Sequence, residues 1–254
     1  MRDTSGIIAG AESVVVLTGA GISAESGVPT FRGPEGLWRS FRVEDLATPE
    51  AFDRDPRLVW EWYSLRRERV ARCVPNAAHH ALARFALARP HVRIITQNVD
   101  ELHSDAARAA ANGADPLRAM PLELHGSIFR DRCSMCAFHR DNREPVDWSS
   151  LASLPRCEEC GALLRPDVVW FGERLEPGVL EEAFEWAGRV DVCLVIGTSG
   201  VVEPAASIAS TTRATGGQVI EINPEETPLT RVATVSIRGT AVEVVGKMLT
   251  PITE

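Results

Sequence analysis

Four runs of almost unbroken apolar residues punctuate the chain: Val14 to Leu17, Val92 to Ile95, Val192 to Ile196 and Val219 to Ile222. A strand with one face in water alternates apolar and polar positions, whereas a strand covered on both faces has no need to. The runs therefore predict buried parallel strands. Val235 to Ile237 predicts a further strand and Leu122 to Leu124 a short one. Helical patterns follow many of them, such as Pro204 to Thr215, which Gly216-Gly217 stops. Strand and helix alternating in this way predict an α/β fold: a Rossmann-like, doubly wound parallel sheet.

Two stretches break the rhythm. From Gly33 to Cys73 no strand is predicted. Thr48-Pro49 and Asp55-Pro56 each read as an N-cap followed by proline at the first helical position, so the segment is expected to be helical. From Ser127 to Trp170 the chain reads as loop. Both are expected to be insertions that build a smaller helical and zinc-ribbon domain from residues 33–73 and 127–170. Residues 1–32, 74–126 and 171–254 would then form the Rossmann-like domain.

Val14-Val15-Val16-Leu17-Thr18 runs into Gly19-Ala20-Gly21-Ile22-Ser23-Ala24. Glycines at this spacing let the backbone turn sharply and approach a pyrophosphate, and a following helix would offer free N–H groups to its oxygens. A tight turn with no ligand would use the same glycines. A dehydrogenase would next show a second strand ending in an acid that holds the ribose. Here the chain continues as Gly27-Val28-Pro29-Thr30-Phe31-Arg32-Gly33-Pro34, a Pro/Gly-rich loop, and Glu44-Asp45 follow no strand. Any dinucleotide site must differ from that of a hydride-transfer enzyme.

Of six cysteines, Cys133-x2-Cys136 and Cys157-x2-Cys160 form two tight pairs separated by 20 residues. Two such pairs can close a tetrahedron around one zinc ion, and four thiolates leave no open position for water. The site is expected to be structural. Cys73 and Cys193 stand alone and are expected in the core.

Three more segments turn polar as they leave predicted strands: Thr96-Gln97-Asn98-Val99-Asp100, His125-Gly126 and Gly197-Thr198-Ser199. Ligands of open parallel sheets bind at the carboxyl ends of the strands, so these segments are expected to converge on the Gly19 turn. Asn223-Pro224-Glu225 fits the same place, where its Asn and Glu would hold an adenosine ribose. His125 alone among the histidines sits at such a strand end before a glycine. A histidine there can also satisfy a local backbone group; the polar cluster around it favours a functional role. His79, His80, His91, His103 and His139 are given none.

The segments Gly19 to Arg32 and Thr96 to His103, the Leu124-His125-Gly126 step, the two cysteine pairs and Gly197-Thr198-Ser199 occur in one order that resembles the sirtuins, NAD-dependent protein-lysine deacylases. The resemblance runs from about Val14 to Ala241. It implies NAD as co-substrate, one structural zinc, and acyl-lysine proteins or peptides as partners. It places Gly19, Ala20, Gly21, Ile22, Ser23, Thr30, Phe31, Arg32 and Trp38 in the NAD loop. Gln97, Asn98, Val99 and Asp100 would meet the nicotinamide ribose. Gly197, Thr198, Ser199, Asn223, Pro224 and Glu225 would meet the adenosine, with Ala241 at the adenine. His125 and Asn98 would be catalytic, His125 as the general base that deprotonates a ribose hydroxyl. The products would be free lysine, nicotinamide and O-acyl-ADP-ribose.

The helix after Asp55-Pro56 carries Val59, Trp62, Tyr63, Arg66 and Val70 on one face. A charge on an apolar stripe is costly unless paired, although an arginine can also pack its stem and reach solvent with its head. Tyr63-x-x-Arg66 resembles the pair in sirtuins that remove succinyl and malonyl groups. It implies a preference for an acyl tip bearing a carboxylate.

Composition narrows these readings. With 44% apolar and 24% charged residues the chain is ordinary for a globular protein, and its net charge of −8 argues against nucleic acid as the main partner. No apolar run approaches the length of a membrane span, and with the first predicted strand starting near Val14 no signal peptide is expected. A cytoplasmic, monomeric enzyme with no membrane partner is expected. A mono-ADP-ribosyltransferase on the same fold and a non-catalytic NAD-sensing module remain alternatives.

Overall fold

The structure is a computed structural model that describes residues 2–30 and 42–253; the expected cofactor residues Phe31, Arg32 and Trp38 lie outside them. In chain order the described elements are α1 (Arg2–Gly10), β1 (Val14–Thr18), α2 (Val43–Leu46), α3 (Pro49–Arg54), α4 (Pro56–Val70), α5 (Ala77–Ala88), β2 (Val92–Thr96), α6 (Leu102–Ala111), β3 (Leu122–Glu123), β4 (Gly126–Cys133), β5 (His139–Asp141), β6 (Leu164–Val168), α7 (Pro177–Ala187), β7 (Val192–Ile196), α8 (Ser207–Ala214), β8 (Gln218–Ile222), β9 (Val235–Ile237) and α9 (Ala241–Thr253).

Six strands form a parallel sheet in the order β3-β2-β1-β7-β8-β9. Every residue of β1 and β7 is buried. Val14 and Val16 join one apolar cluster with residues of α1, α5 and α9, while Val15 and Leu17 join another with residues of α7 and α8. Both faces of β1 are covered, and its sequence is unbrokenly apolar for that reason. After β1 the chain returns to the sheet on one side as β2 and later on the other as β7. The loops leaving β1 and β7 therefore diverge and open a crevice at their carboxyl ends.

The expected caps are present. Thr48 Oγ1 accepts from Ala51 N at 3.1 Å and Asp55 Oδ1 from Leu58 N at 3.1 Å, with proline opening α3 and α4. The helix expected over Pro204 to Thr215 starts later, because residues 203–206 form turns.

The stretch from Ser127 to Trp170 is not loop throughout. It contributes most of an antiparallel sheet, β5-β4-β6. Hydrophobic pattern misses these strands because they bury charge. Asp131 in β4 is fully buried and accepts from Arg67 Nη2 at 2.7 Å, Arg140 Nε at 3.2 Å and Asn142 Nδ2 at 2.7 Å. Arg67 also donates to the carbonyls of Ile128 and Arg130. On the same helix Trp60 Nε1 donates to Leu164 O at 2.9 Å. These bonds bind α4 to the small sheet, and one apolar cluster joins residues 46–70 to residues 128–170.

Candidate functional site

The loops after β1, β2, β3, β7 and β8 meet around one cavity of about 520 Å³. Gly19, Ala20, Gly21 and Thr30 line it from the first loop, and Gln97, Asn98 and Val99 from the second. His125 follows β3; Gly197, Thr198 and Ser199 follow β7; Asn223, Pro224 and Glu225 follow β8, with Ala241 opening α9. Tyr63 and Arg66 reach the same cavity from α4. The other three expected residues within the described part stand behind this wall: Ile22 and Ser23 are fully buried and Asp100 is 5% exposed.

The glycines of the first loop serve a purpose that their sequence alone does not reveal. A Cβ on Gly19 would lie 2.8 Å from Thr198 Cα, and one on Gly21 would lie 2.7 Å from Gly197 O. Gly197 itself has φ 60°, and its Cβ would meet Ile22 N at 2.6 Å. The two loops interlock backbone to backbone, with Gly21 N donating to Gly197 O at 2.8 Å. The helix expected here is instead a pair of 3-10 turns, Ala20–Ile22 and Ala24–Ser26. The N–H groups of Gly21, Ile22 and Ser23 go to Gly197 O, Gly19 O and Ala20 O, so this loop does not offer them to a ligand.

His125 Nδ1 lies 2.9 Å from the carbonyl oxygen of Gln97. A carbonyl can only accept, so Nδ1 carries the proton and, in the neutral ring, Nε2 keeps its lone pair. Burial pushes the imidazole below its ordinary pKa, against the pull of the Gln97 carbonyl. The ring is therefore neutral at pH 7 and fit to take a proton. The following Gly126 has φ 77°, and a Cβ there would lie 2.1 Å from Asp167 O, so the turn that presents His125 requires glycine.

Gln97 Nε2 donates to Thr198 Oγ1 at 2.9 Å and Asn223 Nδ2 to Thr198 O at 2.8 Å, which joins three of the loops. Asn98 Nδ2 donates to Ser23 Oγ at 3.1 Å. His79 Nδ1 accepts from Asn76 N, so its Nε2–H is directed at Ser23 Oγ, 3.3 Å away. The Ser23 hydroxyl also helps to hold down the pKa of the Asp100 carboxyl, which burial raises. His103 Nε2 lies 3.0 Å from Thr18 Oγ1. Burial holds both rings neutral, His79 at about 2 and His103 at about 4. Sequence reasoning gave these two histidines no role, yet they anchor the floor beneath Asn98. The spacing Asn76-x-x-His79, a capping pair, was the available signal.

Arg66 and Tyr63 share an aromatic corner. The Arg66 guanidinium lies 4.8 Å from the Trp62 ring centre, and Tyr63 meets Trp62 edge-on at 4.7 Å. Burial lowers the Arg66 pKa, and Tyr63 and Asp100 oppose that shift. Trp170 and Phe171 also line the cavity; no motif pointed to them.

The four paired cysteines form a separate cluster whose Sγ atoms all lie within 4.8 Å of one another. Cys133 and Cys160 approach to 3.4 Å, and Cys136 and Cys157 to 3.6 Å. A tetrahedron with Zn–S bonds of ~2.3 Å has edges of ~3.8 Å, so the set fits one zinc ion with no coordination position left open. Cys193 is buried in β7 with its thiol pushed up to about 12, whereas Cys73 is half-buried rather than a core residue.

Residues 19–204 match the Sir2 family. An NAD-dependent protein deacylase of Thermococcus kodakarensis is 48% identical over 246 residues, covering 96% of this chain and 92% of that protein. One of Pyrococcus furiosus is 47% identical over 251 residues, covering 98% and 96%. Among solved structures, a Sir2 homologue in complex with NAD superposes with a TM-score of 0.88 at 44% identity, covering 99% of this chain and 93% of the other. A Sir2 mutant holding a deacetylated p53 peptide and 3′-O-acetyl ADP-ribose superposes with a TM-score of 0.84 at 30% identity, covering 96% and 95%.

Proposed function

Because the chain belongs to the Sir2 family, we propose that it is an NAD-dependent protein-lysine deacylase that prefers succinyl and malonyl groups to acetyl. The observation that carries this reading is the convergence of five strand-end loops on one cavity, where a neutral His125 keeps Nε2 free to accept a proton. The cavity suits the cofactor: it has the volume of a ligand site and lies where the sheet order reverses.

NAD, when bound, supplies a ribose carbon made electrophilic by departure of nicotinamide. The residues around it divide the remaining work. Gly19, Ala20, Gly21 and Thr30 border the phosphates, and Gln97, Asn98 and Val99 the nicotinamide ribose. Gly197, Thr198, Ser199, Asn223, Pro224, Glu225 and Ala241 border the adenosine. Ile22, Ser23 and Asp100 support that wall from behind, and Phe31, Arg32 and Trp38 join the site on sequence grounds. His125 Nε2 takes the proton of a ribose hydroxyl, while the Gln97 carbonyl holds the ring in the required tautomer. Asn98, its amide fixed on Ser23, orients that ribose. Tyr63 and Arg66 hold the acyl carboxylate. The reading includes a single chain working in the cytoplasm, with residues 33–73 and 127–170 as the small domain.

A panel of acetyl-, malonyl- and succinyl-lysine peptides, read by nicotinamide release, tests the proposal. Faster turnover of the acidic acyl groups is expected. Acetyl turned over fastest removes the acyl preference, and no release with any peptide removes the deacylase reading.

A further inference from the structure

The Tyr63 hydroxyl has one hydrogen-bond partner among the described residues: Trp170 Nε1, at 2.9 Å. An indole N–H can only donate. The phenol oxygen is therefore the acceptor, and its own proton has to be directed away from Trp170. Tyr63 is 2% exposed and lines the cavity beside Arg66, so the cavity is where that proton can be used.

Trp170 is itself held from several directions. Its backbone N–H donates to Glu173 Oε2 at 2.8 Å. Its ring lies under the Arg165 guanidinium at 3.6 Å, and Arg165 is clamped by both Glu173 oxygens at 2.8 Å. Phe52 packs against it in a tilted arrangement, 5.5 Å between ring centres. A buried indole fixed in this way fixes the lone pair that Tyr63 must present to it, and with it the direction of the phenol proton.

Resting on the acyl preference proposed above, we infer that Trp170 is a specificity-determining positioning residue: its N–H orients the Tyr63 hydroxyl so that the phenol donates to a carboxylate at the acyl tip. A donor on the phenol oxygen also polarises the O–H, which strengthens what it gives to an anion. Burial raises the Tyr63 pKa, and Arg66 and then Trp170 pull it back. A neutral acetyl tip brings no carboxylate to accept the proton and gains nothing from the arrangement.

Tyr63 is the only tyrosine in the chain, which permits a direct test. Biosynthetic 3-fluorotyrosine places one fluorine in the protein, and its resonance reports the ionisation of that phenol by pH titration. Trp170→Phe keeps an aromatic ring and removes the donor. The titration should move to higher pH in Trp170→Phe, and the succinyl-to-acetyl ratio of kcat/KM should fall roughly three- to tenfold, the worth of one neutral hydrogen bond. In a Tyr63→Phe background, Trp170→Phe should leave that ratio unchanged. An unmoved titration overturns the inference whatever the substrate preference. A moved titration with an unchanged ratio in an acid-preferring enzyme overturns it as well. If the wild type shows no acid preference, the proposed acyl selectivity fails, and the fluorine titration alone decides whether Trp170 orients Tyr63.

Discussion

The carbonyl oxygen of Gln97 accepts a hydrogen bond from His125 Nδ1 at 2.9 Å, so the backbone of one strand-end loop sets the tautomer of the histidine on another. The same loop places Asn98 against Ser23. In the proposed reaction, the general base and the residue that orients its target are thus held by adjacent peptide units. Because burial lowers the His125 pKa below the ordinary 6.5, the neutral, proton-accepting form persists to more acidic pH than that of a free histidine. The acid limb of the kcat/KM profile should have its midpoint below pH 6.5. His125→Ala should lose deacylation and keep a folded, zinc-loaded protein, as judged by circular dichroism and metal analysis. An acid limb centred above pH 6.5, or an active alanine variant, would contradict the assignment.

Arg66→Met removes the cation proposed to meet the acyl carboxylate and keeps an apolar stem beside Trp62. A charge-assisted hydrogen bond is worth roughly 1.5–3 kcal/mol, which corresponds to about ten- to hundredfold in rate or affinity. Desuccinylation kcat/KM should fall by that order, and deacetylation by much less. Equal losses on both peptides would refute the acyl preference.

Arg67, the neighbour of Arg66, has a different task. Its ion pair with Asp131 is buried and carries additional bonds to two carbonyls of β4. Without Arg67 the buried Asp131 keeps Arg140 as its remaining counter-charge, so the cost should approach but not exceed the about 3–5 kcal/mol of a fully broken buried pair. Arg67→Met should show that loss in urea or guanidinium unfolding. A change below about 1 kcal/mol would mean that water or neighbouring groups take over the bonding of Asp131.

The cysteine cluster should hold one zinc per chain. Structural zinc contributes on the order of 10 kcal/mol to the folding of small zinc modules. Chelation should therefore melt the sheet β5-β4-β6, and activity should be lost with it, because Gly126 and the segment leading to Trp170 belong to or follow that sheet. Zinc should restore both in the wild type but not in Cys157→Ser. Full activity in metal-free protein would contradict this dependence.

Where burial follows hydrophobicity, the fold is legible in the sequence. The runs at Val14, Val92, Val192 and Val219 are all strands of the parallel sheet, and Leu122 and Val235 open its two edges. Where burial is achieved by ion pairing, it is not. Asp131 and Arg165 look like surface residues in a loop, and they are buried because Arg67, Arg140 and Glu173 come to meet them. The stripe on α4 singled out Arg66, although Arg67 is the more deeply buried. A period along one helix cannot register that β4 offers carbonyls to the next residue. The site shows the same division. His125 was legible from its place at a strand end before glycine. Trp170, His79 and His103 were not, since each matters through a partner far away in sequence: Tyr63, Ser23 and Thr18. The glycines at 19, 21 and 197 were noticed as a turn for phosphate, while their interlock is a contact between loops some 180 residues apart.

Mass spectrometry of a succinyl-lysine peptide incubated with the purified protein, with and without NAD, decides whether the chain is an NAD-dependent lysine deacylase. Loss of the succinyl mass only with NAD, one nicotinamide released per peptide, and a small-molecule product carrying the acyl group on ADP-ribose are expected. A peptide or protein that gains the mass of ADP-ribose while keeping its acyl group, or a peptide left unchanged together with its acetyl and malonyl counterparts, would contradict the deacylase reading.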